Sequence, residues 1–432
     1  MKTVHNFVNS ETHSFINCVR SFLPQYTVVP FSQIRGQNFH CTVKDNDSVK
    51  EGQIIAAPDD ENKGALIHSP IPGKICGIIN CSLPDGQMGR AIRIRLTGGF
   101  SFLGKKQNKN NWRAFSPKEL CDMFSRNGII NTFSNSQSLS MQIEKCQKEN
   151  KRILVARLFD EDPSRMTDSF VYEKYTAQVV EGIMIIAKAL DAEGIVFAIS
   201  KYAEKDLENL NSDSKFPYMK ISVDVKKYPC GFKQNLIQSI KKEAKNLKKD
   251  IFINVNTKGL FVDSETAYSV YEAVVLGIPV VERFVHVTGS CLRSAGMFKV
   301  RIGTPIQSLT KQCGGFKRAP SKIIINGMIT GFAISNMETP VTKLVKSVMF
   351  VSANELDDQT STQCIRCGKC RIICPEGIFP DLIFRHKTGG KPIGKDLVKT
   401  ANLCSGCCLC NSICPARLPL SQTISLLKDN EI

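Results

Sequence analysis

The chain changes its hydrophobic rhythm three times along its length. Between residues 26 and 100, short β-type runs (TVVPF, DNDSVKEGQII, ALIHSPIPGKICGII and GRAIRIRL) are separated by turn signals, which predicts an all-β module. From about 113 to 280, apolar strand-like runs (RILVARLF, GIVFAIS, DIFINV) alternate with helical patterns such as SFVYEKYTAQVVEGIMIIAKALDAEG and DSETAYSVYEAVVLG. Such alternation marks an α/β sheet with crossover helices. Residues 281–350 return to β-type runs, VVERFVHVTG, MFKVRIGTP and KIIINGMITGFAI, and after Asp357 a cysteine-rich segment begins. The expected fold is therefore multidomain, α/β plus β, with units over 1–105, 106–280, 281–350 and 351–432.

No stretch reaches the roughly eighteen uncharged apolar residues that a spanning helix needs. The best candidate, Val179 to Ile199, is broken by Glu181, Lys188, Asp191 and Glu193. The start of the chain carries His5, Glu11 and His13 where a secretory signal would place an apolar core, so a cytoplasmic location is expected. An apolar content of 42% with 22% charged residues fits a folded chain with a sizeable core.

Charge narrows the list of partners. Lys and Arg number 57 against 40 Asp and Glu, a formal +17, which attracts nucleic acid, an anionic membrane surface or an acidic protein. No nucleic-acid recognition motif occurs in the sequence, so nucleic acid is not an expected partner. Between Cys364 and Cys414 eight basic residues (Arg366, Lys369, Arg371, Arg385, Lys387, Lys391, Lys395, Lys399) face three acids (Glu376, Asp381, Asp396). That sign suits thiolate-ligated clusters and an acidic electron-carrier partner.

Eighteen cysteines in such a chain argue for metal rather than disulfides, and nine of them fall between Cys364 and Cys414. They form CIRCGKCRIICP (Cys364, Cys367, Cys370, Cys374) and CSGCCLCNSICP (Cys404, Cys407, Cys410, Cys414), both C-x2-C-x2-C-x3-C-P, the spacing of bacterial two-cluster ferredoxins. Three thiolates on one tight loop grip three irons of a cube, and the fourth cysteine ligates the other cluster. The expected sets are Cys364, Cys367, Cys370 with Cys414, and Cys404, Cys407, Cys410 with Cys374. Structural zinc is the rival reading, but zinc motifs do not normally show two complete runs of this kind. Cys408 is expected to be a small packing residue.

The stretches DSVKEGQII with HSPIPGKICGI, KYPCGFKQNLI, TAYSVYEAVVLGIPVVERFVHVTG, VRIGTP, IINGMITGF and the two cysteine motifs, in this order, resemble the RnfC proteins of Rnf-type ferredoxin:NAD oxidoreductases. These are relatives of the flavin-bearing component of complex I and of the NqrA protein of the sodium-pumping NADH:quinone reductase. The resemblance implies a barrel-sandwich module, a Rossmann-like flavin and NADH domain, a β-grasp module and a two-cluster 4Fe-4S ferredoxin-like domain. It also implies a peripheral position on the cytoplasmic face of the cell membrane, among the other subunits of an ion-translocating assembly. The first module resembles lipoyl and biotinyl carriers as well, with Lys63 as the lysine in the hairpin interval, but it lacks the flanking residues of an attachment site.

Three sites depart from the family pattern. The Gly-rich phosphate turn is replaced by NTFSNSQSL, Asn131 to Leu139, without a glycine. The acidic Glu-x-Glu-Pro appears as Asp160, Glu161, Asp162 and Pro163, leaving Asp160 and Asp162 as candidate remnants of a nucleotide seat. The Gly-Glu after YPxG is Phe232 and Lys233, where Phe232 is expected to add bulk to the pocket. Together these changes argue for a lost or remade pocket, against bound FMN and against NADH oxidation. The expected function is single-electron transfer through two 4Fe-4S clusters, between a soluble carrier (an acidic ferredoxin or flavodoxin, or NADH) and membrane subunits. A soluble adaptor for a cytosolic reductase remains the alternative.

Overall fold

A computed structural model describes residues 4–5, 18–34, 37–60, 64–133, 137–203, 216–355, 360–390 and 394–428. Lys63, Lys391 and the middle of the Asn131 to Leu139 stretch lie outside them. No helix among the described residues is long and apolar enough to cross a membrane.

The first unit is two small antiparallel sheets packed face to face. One runs in the order Tyr26–Pro30, Met88–Leu96, Gly73–Ser82, Ser48–Val49, and the other Phe39–Cys41, Ile54–Pro58, Ile67–His68. In Met88–Leu96 the alternation sends Ile92 and Ile94 into the core with Val29, Ile55 and Ile75, while Arg93 and Arg95 point out. Arg93 covers the ring of Tyr26 at 4.3 Å.

The second unit has a four-stranded parallel sheet in the order Tyr218–Val223, Gly194–Ser200, Ile153–Arg157, Leu260–Asp263. Ile153–Arg157 is buried along its whole length, as a strand covered on both faces must be. Helices Thr176–Leu190 and Ser264–Val275 cross closely because Gly182 rests against the Ala267 carbonyl, where a Cβ has no room.

The run DIFINV, expected as a strand, is instead a 3-10 turn, Asp250–Asn254. Phe252 alone of its side chains is buried, packed against Gly194, while Ile251 stays exposed. The strand beside Ile153–Arg157 is Leu260–Asp263, at the head of the expected helical pattern. The outer strand Tyr218–Val223 alternates exposed and buried, as an edge strand does.

The third unit is a mixed six-stranded sheet, ordered Cys18–Arg20, Gly296–Arg301, Glu282–Thr288, Ser347–Val351, Lys322–Ile325, Phe332–Ile334. Two N-terminal segments thus pair outside the first unit: Cys18–Arg20 runs parallel to Gly296–Arg301, and Val4–His5 pairs with Lys227–Tyr228. Backbone pairing over such separations leaves little trace in a local pattern.

This third sheet presents cations to acids of its neighbours. Lys346 Nζ reaches Asp168 at 2.6 Å and Asp263 at 2.7 Å, Arg283 faces Glu265 at 3.2 Å, and Arg301 meets Glu51 of the first unit at 2.6 Å. All of these side chains are buried. Buried pairs of this kind define how units seat on one another more than they add net stability.

Candidate iron–sulfur centre and the neighbouring α/β pocket

Each cysteine motif is a loop followed by one short turn of helix. The loops contain left-handed residues at matching places: Arg366 (φ 55°) and Gly368 (φ 73°) in the first, Gly406 (φ 77°) and Cys408 (φ 57°) in the second. This curls the backbone inward, and the Gly406 N–H donates to Cys404 Sγ at 3.4 Å. Helices Lys369–Ile373 and Leu409–Ser412 carry Cys370 and Cys410. After Cys374 and Cys414, Pro375 and Pro415 turn the chain away.

The eight cysteines separate into two groups that cross between motifs. Cys364, Cys367 and Cys370 line one pocket together with Cys414 of the second motif. Cys374 packs beside Cys404 among Ile378, Ile383 and Ile424. Burial pushes the Cys407 thiol up to about 12, and the nearby Cys404 and Cys374 push in the same direction. Among the described residues no three Cys, His, Asp or Glu side chains converge on a single ion-sized point. A cubane spreads its thiolates over four irons, so it asks for a ring of sulfurs of this kind rather than a point. The donor set, all sulfur, fits such a cluster.

The groups differ in exposure and surroundings. Cys367 is exposed and Cys364 and Cys414 are half-buried, whereas Cys374, Cys407 and Cys410 are buried. Beside the first group Asp381 is buried, holds Arg371 through two 2.6 Å bonds and lies 3.8 Å from Cys370 Sγ. The second group sits against the α/β unit. Tyr228, Phe232, Cys407 and Leu409 form one buried apolar cluster, with Ile329 and Ile373 packed on it. Phe232 therefore does not simply add bulk to a nucleotide pocket: its ring meets Tyr228 edge-on at 5.8 Å and helps to seat the cysteine segment.

The three altered motifs of the α/β unit converge on Arg157, a residue that no sequence motif singles out. Its guanidinium, fully buried, donates to the Phe133 carbonyl (3.1 Å), the Gly231 carbonyl (2.8 Å) and Glu161 (2.9 Å), and lies 4.0 Å from the centre of the Phe133 ring. The available signal was a charge ending the otherwise apolar strand ILVAR. Asp160 accepts from Asp168 N, Ser169 N and Ser169 Oγ at 3.0–3.1 Å and thereby caps the helix Thr167–Lys174. Asp162 accepts from Ser164 N and Oγ and from Ile329 N, Thr330 N and Thr330 Oγ1, all within 3.1 Å. Both carboxylates are thus engaged by the chain's own donors.

Residues 5–98 match the family described as the RnfC barrel sandwich hybrid domain, and residues 135–272 match the Nuo51 FMN-binding domain. The RnfC protein of the proton-translocating ferredoxin:NAD(+) oxidoreductase of Clostridium ljungdahlii is 26% identical over 84% of this chain and 78% of its own length. Its counterpart in the ion-translocating oxidoreductase of Rhodobacter capsulatus is also 26% identical, over 88% of this chain and 73% of its own. The chain is RnfC-like. Within this RnfC-like chain the Asp160, Arg157 and Phe232 positions all fall inside the stretch that matches the FMN-binding family. Among solved structures, an NAD+-reducing [NiFe]-hydrogenase in the air-oxidized state aligns with the RnfC-like chain at 13% identity and a TM-score of 0.46, over 68% of this chain and 58% of that one.

Proposed function

We propose that the chain is an electron-transfer subunit of an ion-translocating oxidoreductase, passing single electrons through two 4Fe-4S clusters. One is held by Cys364, Cys367, Cys370 and Cys414, the other by Cys404, Cys407, Cys410 and Cys374. The observation that carries the reading is the crossed grouping of cysteines around two separate centres. Bound clusters supply reversible one-electron chemistry. The protein's part is to set access. The exposed Cys367 side, with Arg366, Lys369 and Arg371 around it, suits entry from an acidic ferredoxin or flavodoxin, and the buried centre faces inward.

In the same reading the six-stranded sheet is the family's β-grasp module, and the chain sits peripherally on the cytoplasmic side of the membrane with the other subunits of its assembly. The α/β unit serves as a platform without FMN. Support comes from Arg157, which occupies the space between the three altered motifs, and from the engagement of Asp160 and Asp162 within the protein. The α/β unit then has no NADH oxidation of its own.

The test is anaerobic reconstitution followed by reduction. A reduced acidic ferredoxin or flavodoxin should bleach the visible absorption of the clusters, more slowly as salt rises, and NADH should not. Rapid bleaching by NADH, with saturable quenching of FMN fluorescence, would restore a flavin-bearing dehydrogenase. Release from membranes by high salt separates the membrane-docked protein from the soluble adaptor, which would never sediment with them.

A further inference from the structure

A second cavity, of about 190 Å³, opens in the α/β unit beside the N-terminal end of strand Leu260–Asp263. Its walls bring together Lys145, Lys233 and Lys258 with the side-chain amides of Asn131, Gln137 and Gln142, and among the described residues no acid lines it. Lys258 pairs at the rim with Glu149 at 3.5 Å, and Lys145 is exposed. Lys233 is different. It reaches in over the rings of Phe133 and Phe261, 5.9 and 5.4 Å from their centres, and among the described residues no carboxylate forms an ion pair with it. Glu161, the nearby acid, is committed to Arg157.

Burial lowers the pKa of Lys233, so the fold holds a partly desolvated ammonium without its counter-charge. Aromatic faces offset part of that cost, on the order of 1–2 kcal/mol. Lys233 also opens the helix Lys233–Asn246, which has no side-chain cap, so the positive end of the helix adds to the field. A pair of phenylalanines, three cations and three amides around an acid-free cavity is an arrangement completed by an anion.

Size decides the class of anion. Pockets that enclose whole cofactors run to ~300–1,000 Å³. This cavity has room for about six waters, at roughly 30 Å³ each. We infer that it binds a small phosphate-bearing anion through the ammonium groups of Lys233, Lys145 and Lys258, in place of the backbone amides that a glycine turn would offer. The inference stands apart from the cluster assignment, because none of its residues touches the cysteine segment.

The experiment is isothermal titration of the full-length, anaerobically prepared protein with inorganic pyrophosphate at low salt. Saturable binding of one pyrophosphate per chain is expected, and Lys233→Met should weaken it about tenfold, equivalent to about 1.4 kcal/mol. Should that variant fail to fold, Lys145→Ala on the exposed rim should still weaken binding several-fold. Absence of saturable heat in the unaltered protein, or an affinity unchanged in both variants, overturns the inference. So does tight FMN binding that pyrophosphate cannot displace, since that would make the cavity a flavin seat. Cluster reduction, read by absorbance, is a separate signal and fails or succeeds independently.

Discussion

The Tyr228 hydroxyl donates a 2.7 Å hydrogen bond to the carbonyl oxygen of Cys407. A residue of the α/β unit thereby grips the second cysteine loop from 179 positions away in sequence. Phe232, four residues on, closes the apolar side of the same seat with Leu409. The motif KYPCGF, which in the family pattern belongs to nucleotide binding, is used here to fix the inner centre against the protein body.

Crossed ligation makes an asymmetric expectation. Cys374→Ser should weaken the centre built on Cys404, Cys407 and Cys410 and spare the one built on Cys364, since Cys374 packs beside Cys404. Iron content and the electron paramagnetic resonance of the two reduced clusters would separate them. Selective loss of the Cys364 centre contradicts the assignment.

Cys408 occupies a left-handed position, φ 57°, at the place where the first loop has Gly368. A side chain there costs about 1–2 kcal/mol. Cys408→Gly should therefore leave both clusters loaded and make the cysteine segment slightly harder to unfold, by on the order of 0.5–1 kcal/mol once the added chain freedom is counted. Rates of cluster loss in denaturant check this, and faster loss from the variant would mean that Cys408 has a role in ligation.

Asp162→Asn puts an amide where five donors converge on a carboxylate. Ile329 N and Thr330 N would face an NH2 group, and the expected destabilisation is roughly 2–3 kcal/mol. Gly327 (φ 105°) lies directly against this carboxyl group, so the turn cannot relax by rotating inward. The damage should appear as proteolysis near Gly327 and a lower thermal midpoint. An unchanged midpoint would show that Asp162 is free for another ligand.

Lys343 is buried with its ammonium donating to the carbonyls of Leu66 and Gly128, and burial lowers its pKa to about 7. The unfolded chain holds this proton up to about pH 10.4, so between about 7 and 10.4 the unfolded state binds more protons and stability rises with pH. The slope approaches about 1.4 kcal/mol per pH unit. His68 beside it, lowered to about 3 by burial, stays neutral throughout that window. The thermal midpoint of the unaltered protein should climb relative to Lys343→Met between pH 7 and 9. Parallel curves would show that Lys343 keeps its charge at an ordinary pKa.

Local pattern carried a good deal of this fold. The alternation in GRAIRIRL already separates Ile92 and Ile94 from Arg93 and Arg95, and ILVAR and GIVFAIS are the central parallel strands. DIFINV misled because an apolar run at the end of a sheet can bury one ring, that of Phe252, without pairing. Cys18–Arg20 gave no signal because three residues have no periodicity to read, and their partner lies at Gly296–Arg301.

The sequence by itself determined the chemistry of the cysteine segment, since eight thiols at fixed spacing state a ligand type and number before any fold exists. It also stated that the nucleotide motifs were altered, because a missing glycine is visible as a missing glycine. Only the tertiary structure decided what replaced them. Arg157, Phe133 and Gly231 meet through contacts 24 and 74 residues apart, and Lys145, Lys233 and Lys258 come from three separate segments to one cavity. Desolvation and hydrogen bonding act on distance in space, and a linear pattern carries no record of which distant side chains will share it.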